Sequence, residues 1–299
     1  MACGFLVLDK PAGMTSRRAV DHVKRLVRPD KTGHAGTLDP LATGVLVVAV
    51  GRATRLMACV QAGPKTYRAT FLLGRRSETD DTEISVEVLE ATPDLADSDI
   101  ATALEEFVGE IQQVPPAYST VKVAGRRAYQ LARSGQDVEL TARTVRVDSI
   151  RILGWSSPEL DVEIVCGSGT YIRSIGRDLG SRLGCGAVMS GLVRTRVGPF
   201  LLDEATPVES LDPETVFGQM VSPLVAVADL PRQIATPAQL EEIFHGRRVA
   251  WSGAIPGDGA RVVLVDSESQ LAAIGDYVTD TAQFAPRHVF LDDSSLPQK

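Results

Sequence analysis

Residues 31–44, K-T-G-H-A-G-T-L-D-P-L-A-T-G, lie between a basic amphipathic segment and an apolar run, and their single carboxylate, Asp39, precedes a proline. Glycines at 33, 36 and 44 let the backbone approach a neighbour closely, and Pro40 fixes the chain just after the acid. A loop of this composition can present one side chain to a ligand, or it can be an ordinary glycine-punctuated connection. Its local pattern does not separate the two, so the flanking chain has to.

Upstream, G-F-L-V-L at 4–8 reads as a short strand ending in the breaker-rich D-K-P-A-G-M-T-S. Thr15 or Ser16 then caps a helix to about residue 28, because Val20, Val23, Leu26 and Val27 share one face. Arg17, Arg18, Lys24, Arg25 and Arg28 populate the rest of it. Downstream, V-L-V-V-A-V at 45–50 suits a buried strand, followed by a helix over about 52–60 and a further strand at 67–74. Asp39 is therefore expected just ahead of a core strand.

Residues 78–110 hold twelve acids and no Lys or Arg. The pattern there predicts a strand-like I-S-V-E-V-L and a helix over about 98–111, together a solvated, charged outer layer. Residues 114–135 mix prolines and two tyrosines with Lys122, Arg126, Arg127 and Arg133, and predict a protruding loop followed by a short basic helix. Basic residues with aromatics between them are the composition of an RNA-contacting surface, though a plain exposed hairpin has it too. Strands are expected near 143–153, 160–166 and 190–200. Between them, C-G-S-G-T-Y-I-R-S-I-G-R-D-L-G at 166–180 opens a helix with Tyr171 and Arg173 near its start, Ile172 turning into the core. The G-K-[ST] of a nucleotide-binding P-loop is missing, which argues against an NTPase. From about residue 230, a helix near 237–245 and several short strands predict a small β-barrel or sandwich.

The totals constrain the class. At 299 residues and 44% hydrophobic content the chain supports a substantial core. No apolar run reaches the roughly 18 residues of a membrane span, and the N-terminus does not read as a signal peptide, so a cytoplasmic protein is expected. Cys3, Cys59, Cys166 and Cys185 are scattered, and His22, His34, His245 and His288 form no ligand pair, which predicts neither a disulfide framework nor a metal site. The net charge of −7 is unevenly spread: residues 1–60 carry nine bases against four acids and residues 115–155 seven against three, whereas residues 201–299 carry fifteen acids against six bases. Two basic regions around one glycine-rich loop suit a polyanion.

Six separated motifs then carry a resemblance. G-H-A-G-T-L-D-P-L-A-T-G-V-L at 33–46, K-P-A-G-M-T-S at 10–16, K-T-Y at 65–67, P-P-A-Y-S-T-V-K-V-A-G-R-R-A-Y at 115–129, G-T-Y-I-R-S at 169–174 and L-V-R-T at 192–195 together resemble the bacterial tRNA pseudouridine-55 synthase family, TruB. Ala35 and Val47 depart from the family pattern at positions that carry no chemistry. The resemblance is strong over residues 4 to about 200 and architectural beyond. It implies an α+β pseudouridine synthase fold, a mixed, largely antiparallel central sheet with flanking helices, over residues 1–229, with an RNA-contacting insertion at about 114–135. A small β-rich PUA-like RNA-binding domain is implied at 230–299.

The implied reaction is isomerisation of uridine to pseudouridine at position 55 in the T loop of tRNA. No cofactor, membrane or obligate protein partner is implied, and a monomer is expected. By the same resemblance Asp39 is the catalytic carboxylate and Arg173 its ionic partner. Tyr67 stacks on the uracil and is the candidate for moving the C5 proton. Tyr171 and Leu192 line the pocket, and Leu192 also reads as ordinary core. His34 contacts the RNA from which the target base is flipped. Lys10 supports the cleft or touches the substrate, and Lys122, Arg126 and Arg127 contact phosphates. Two other readings compete: a non-catalytic tRNA-binding or folding chaperone, which would not demand Asp39, Tyr67 and Arg173 together, and a glycoside hydrolase, which needs a second carboxylate that the motif does not supply.

Overall fold

A computed structural model of the chain describes residues 2–90, 93–119, 121–123, 126–128, 131 and 140–292. The first strands in chain order are β1 (Cys3–Lys10), β2 (Thr32–His34), β3 (Thr43–Gly51) and β4 (Lys65–Leu73), and a two-stranded pair, β5 (Arg75–Arg76) with β6 (Glu87–Val88), follows. After β7 (Gly109–Gln113) come the paired β8 (Lys122–Val123) and β9 (Arg126–Arg127), then β10 (Arg143–Ser156), β11 (Glu159–Cys166), β12 (Ala187–Val197), β13 (Phe200–Leu201) and β14 (Thr206–Pro207). The large sheet has the order β14-β1-β3-β12-β4-β11-β10-β7, with β2 added to β3 and β13 to β12. Among the described strands of this sheet β1–β14 and β3–β12 pair in parallel, and the other strand pairs are antiparallel. This is the mixed, largely antiparallel sheet that the sequence implied.

Strand β3 is the spine, and its composition explains why. Every second residue of a strand faces the same side, and here both sides are buried, so a β-branched run without polar alternation is stable. Leu46, Val48 and Val50 enter a core with helices α1 (Ser16–Leu26), α3 (Asp97–Glu105) and α4 (Ile172–Arg182). Val45, Val47 and Ala49 enter a second core, which contains Val60 of α2 (Met57–Ala62) and Val263, Val265, Leu271 and Ile274 from the C-terminal part. Thr15 caps α1 by accepting from the Arg18 amide, as its residue type predicts.

The C-terminal part is one five-stranded sheet, β15 (Arg232–Ile234), β17 (Arg261–Val265), β18 (Leu271–Val278), β19 (Gln283–Val289) and β16 (Val249–Ala250) in that order, with α5 (Pro237–Phe244) beside it. Arg52 donates to the carbonyls of Phe290 and Leu291, and Arg55 to that of Val289, which fastens the end of this sheet to the segment after β3.

Three expectations change. The helix foreseen over 98–111 stops at Glu105 and the chain becomes β7, because Gly109 takes φ +103°, outside any helix, and the next residues pair with β10. The helix expected at 52–60 is a 3₁₀ turn, Arg52–Leu56, followed by α2. In the segment 114–135, Lys122, Arg126 and Arg127 stand on the paired strands β8 and β9 rather than on a loop, while Ala128 and Leu131 after them are helical; the side chains of Lys122, Arg126 and Arg127, and residues 132–139 with Arg133, lie outside the described residues.

Candidate active site

The loop between β2 and β3 is held in place on every side. Ser16 at the start of α1 donates its hydroxyl to the Leu38 carbonyl (2.9 Å) and accepts from the Leu38 amide (2.8 Å). Gly13 N–H donates to the Pro40 carbonyl, and Ala42 N–H closes a turn on the Asp39 carbonyl. Gly44 has φ +94°, and a Cβ there would lie 2.3 Å from the Arg194 carbonyl on β12, so glycine is required both by the backbone angle and by the close parallel pairing.

Asp39 emerges from this frame with its side chain 35% exposed, and Arg173 lies beneath it, 4% exposed, with Nε 3.0 Å from Oδ2. The Arg173 N–H does not point along that line, so the contact is an ion pair without an aligned hydrogen bond. The rest of the guanidinium is spoken for: Nη1 donates to the Thr79 carbonyl (2.8 Å) and lies 3.5 Å from Asp81 Oδ2, and Nη2 donates to the Tyr118 carbonyl (3.0 Å). Arg173 thus stands between two carboxylates and ties three distant segments to the first turn of α4.

Asp81 overturns the reading of its stretch as a solvated layer. It is 1% exposed, accepts from the Thr79 hydroxyl and from the Glu83 amide, and shares Arg173 with Asp39. Glu83 in turn accepts from the Leu41 amide (2.7 Å), and burial raises its carboxyl above the usual range. The expectation that no second acid accompanies the motif is corrected as well: Glu83 bonds the loop at Leu41, and Asp81 shares Arg173 with Asp39. The signal was available in T-D-D-T-E, where hydroxyls and carboxylates alternate as in turns that bond their own backbone.

Tyr67, on β4, lies opposite Arg194 of β12, and Ala69 opposite Leu192. Alternation puts Tyr67, Ala69, Leu192 and Arg194 on one face, which is the face carrying Leu38 and Ala42 of the loop. Burial pushes the Tyr67 phenol up, and the Arg194 guanidinium beside its hydroxyl opposes that rise. The net direction is opposite to the one a general base needs. Leu192 is 8% exposed inside the apolar cluster that contains Tyr67.

Arg194 is the residue that sequence reasoning passed over. It is 2% exposed, and it donates to the carbonyls of Val45 (2.8 Å), Gly36 (3.1 Å) and Thr37 (3.4 Å). Its place inside the L-V-R-T motif at 192–195 was the visible clue.

Lys10, expected to support the cleft or touch the substrate, is fully buried at the end of β1. Its ammonium donates to the carbonyls of Met14 (2.7 Å), Pro11 (2.8 Å) and Pro40 (3.3 Å), a supporting place under the residue after Asp39. Burial lowers it to about 8, with Asp39 and Glu83 opposing. Tyr171 caps α4, its backbone clamped by both ends of the buried Gln113 amide and its ring 4.8 Å from the Arg143 guanidinium. His34 ends β2; its Nδ1 is buried without a hydrogen-bond partner among the described residues, and burial lowers its pKa. No group of three metal-ligating side chains occurs among the described residues.

Asp39 is thus a partly exposed carboxylate over a buried arginine, and its charge reaches the buried Tyr67 phenol. Comparison with known proteins gives the site a class. A solved H/ACA RNP bound to a substrate RNA containing 2'-deoxyuridine includes a chain that superposes with a TM-score of 0.75 at 26% identity, over 98% of this chain and 87% of that one. The fold is the pseudouridine synthase fold.

A family model described as TruB family pseudouridylate synthase (N terminal domain) matches residues 24–172, and one described as tRNA pseudouridylate synthase B C-terminal domain matches residues 173–219. A tRNA pseudouridine synthase B of Mycobacterium sp. (strain KMS) is 44% identical over 279 residues, 91% of this chain and 92% of that protein. Its counterpart in Mycobacterium tuberculosis (strain CDC 1551 / Oshkosh) is 47% identical over 277 residues, covering 89% and 92%. The chain belongs to the TruB family of pseudouridylate synthases.

Proposed function

We propose that the protein isomerises uridine to pseudouridine in tRNA, at position 55 in the T loop, with Asp39 as the catalytic carboxylate. The observation that carries this reading is the Asp39–Arg173 pair at the open end of a buried charge cluster, in a chain of this family. In the reaction the bond from ribose C1′ to uracil N1 breaks, the base rotates in place, a bond from C1′ to C5 forms, and the C5 proton is lost while N1 gains one. Nothing is consumed, and the residues named here suffice. Asp39 acts as nucleophile or as partner to positive character at the sugar, and Arg173 orients it.

The target base leaves its loop, at about a few kcal/mol, and stacks on Tyr67 between Tyr171 and Leu192. His34, whose Nδ1 lacks a partner, meets the RNA at the vacated position. Arg194 beside the Tyr67 hydroxyl is the group that would let this phenol exchange the C5 proton. Lys122, Arg126 and Arg127 hold phosphates from the insertion at about 114–135. Residues 1–229 form the catalytic domain and residues 230–299 a PUA-like RNA-binding domain. The protein acts as a cytoplasmic monomer.

The test is tritium release from C5-labelled uridine in a T-arm hairpin without added cofactor. Release should stop in Asp39→Asn while RNA binding is kept, and it should require the T-loop uridine. Undiminished release by Asp39→Asn refutes the assignment. Binding without any release by the unaltered protein favours the folding-chaperone reading instead.

A further inference from the structure

Helix α1 begins at the catalytic loop and runs away from it, and its outer face has a composition that neither the core nor the active-site cluster uses. At about 100° per residue, Arg17, Arg18, Lys24 and Arg25 fall within about 120° of the helix circumference, with Arg28 just past the helix end. All five are exposed, and they border a shallow depression of about 590 Å³. The opposite side of α1 is the buried one, with Ser16, Ala19, Val20 and Val23. Ser16 bonds both backbone groups of Leu38, next to Asp39, and the Arg17 charge is felt at His34, so the first turn of this face lies at the mouth of the site.

The pairing of these charges is unusual for the molecule. Many exposed arginines elsewhere are matched by acids, Arg151 and Arg68 with Glu163, Arg182 with Glu106, Arg247 with Glu242, Arg261 and Arg287 with Asp276, and those without an ion pair among the described residues, Arg55, Arg76, Arg196, Arg232 and Arg248, do not share one helix face. On α1, Arg17 alone has an ion pair among the described residues, with Asp21 at 2.8 Å. Arg18, Lys24, Arg25 and Arg28 have none. A protein of net charge −7 that leaves four cations unpaired on one helix face concentrates positive potential there.

We propose that this face is a track for RNA phosphates: the strand leading away from the flipped uridine lies along α1, from the His34 end toward Arg28. From Arg17 to Arg25 the track is about 12 Å long. Unpaired, flexible cations beside a site that holds one base fit a polyanionic backbone read without sequence, which positions the substrate and sets its salt dependence. Asp21, in the middle of the face, works against the track by neutralising Arg17. The proposal rests on the RNA-modifying reading of the site, but its test reads binding, not turnover.

The experiment measures the affinity of a T-arm RNA hairpin at several salt concentrations for the full-length protein. Replacing Arg18, Lys24 and Arg25 together by Gln should weaken binding at least about tenfold near 0.1 M salt and lower the slope of log K against log salt by about 2 to 3. The same charge change made in Arg68, Arg151 and Arg182 should leave the slope near that of the unaltered protein. Asp21→Asn, which frees Arg17, should tighten binding a few-fold, an effect that a merely structural helix face would not give. An unchanged slope in the α1 variant, an equal fall in the control variant, or weaker binding by Asp21→Asn overturns the proposal. A protein that binds with the expected slopes yet never releases tritium would leave the track standing and remove the catalytic reading.

Discussion

On one side of the Asp39 loop Arg173 lies between two carboxylates, Asp39 and Asp81; on the other, Arg194 and Lys10 form no salt bridge among the described residues and donate to backbone carbonyls of the loop and its flanks. All three cations are buried, yet the two sides do different work. Carbonyls are fixed by the backbone, so Arg194 and Lys10 hold the shape of residues 36–45 whatever is bound. The carboxylate side has its charge balance distributed over side chains, one of which is the group at the open end of the cluster. A change on that side alters the field at Asp39; a change on the other alters where the loop sits. The carbonyl side also bears the larger cost of burying charge without a counter-ion, and a lysine can shed its proton there whereas an arginine cannot. That is why Lys10 is lowered to about 8.

The largest effect should come from breaking the carboxylate side at its centre. Arg173→Met is expected to lower the rate of tritium release at saturating RNA by about 10³-fold or more, since it unpairs Asp39 and leaves Asp81 buried alone, with RNA affinity changed only a few-fold. A comparable loss in KM with the rate kept would place Arg173 in binding instead. Asp81→Asn should cost less, about 10- to 10²-fold in the same rate, because Arg173 keeps Asp39 and its carbonyl partners. An undiminished rate there would mean that Asp39 and the Thr79 and Tyr118 carbonyls suffice to orient the guanidinium.

On the carbonyl side the expected signature is stability. Arg194→Met leaves three carbonyls short of their donor and should destabilise the fold by about 2 to 4 kcal/mol in urea titration, with Arg194→Lys recovering part of that. A stable Arg194→Met protein would show that the loop is held adequately by Ser16 and Lys10.

The smallest effects are in pH, and they have opposite signs on the two sides. Asp80 pairs with Arg177 one turn beyond Arg173, and burial raises its carboxyl from 3.8 to about 6. The folded protein therefore keeps a proton that the unfolded chain releases, and stability falls as pH rises from about 4 to 6. Lys10 is lowered from 10.5 to about 8, so the folded protein gives up a proton that the unfolded chain keeps, and stability rises between pH 8 and 10.5. Urea midpoints across both windows should show each slope, and Asp80→Asn and Lys10→Met should each flatten one. A Lys10→Met protein with the wild-type slope above pH 8 would remove Lys10 as its source.

Much of the frame was legible. A strand of Val and Leu with no polar alternation had to be buried on both faces, and β3 is; the valines of α1 at helical spacing had to face inward, and they do. Asp39, Tyr67 and Arg173 were singled out through the motifs around them, and the structure brings Arg173 to Asp39. Asp81 was not, because an acid in a run of twelve looks like surface until the one cation it serves arrives from α4. For Lys10 the sequence left cleft support and substrate contact open, and only the three carbonyls converging on its ammonium show a supporting place and make burial tolerable.

The sequence by itself determined what depends on neighbours along the chain: where strands alternate, where Thr15 caps a helix, where glycines permit close approach, and which helix face carries basic residues. These follow from backbone sterics and periodicity. Tertiary structure decided which charges meet. Whether a carboxylate is solvent-facing or locked to Arg173, and whether a cation finds an acid or a carbonyl, depends on groups far apart in the chain and on how much water is excluded where they join. No local pattern carries that information.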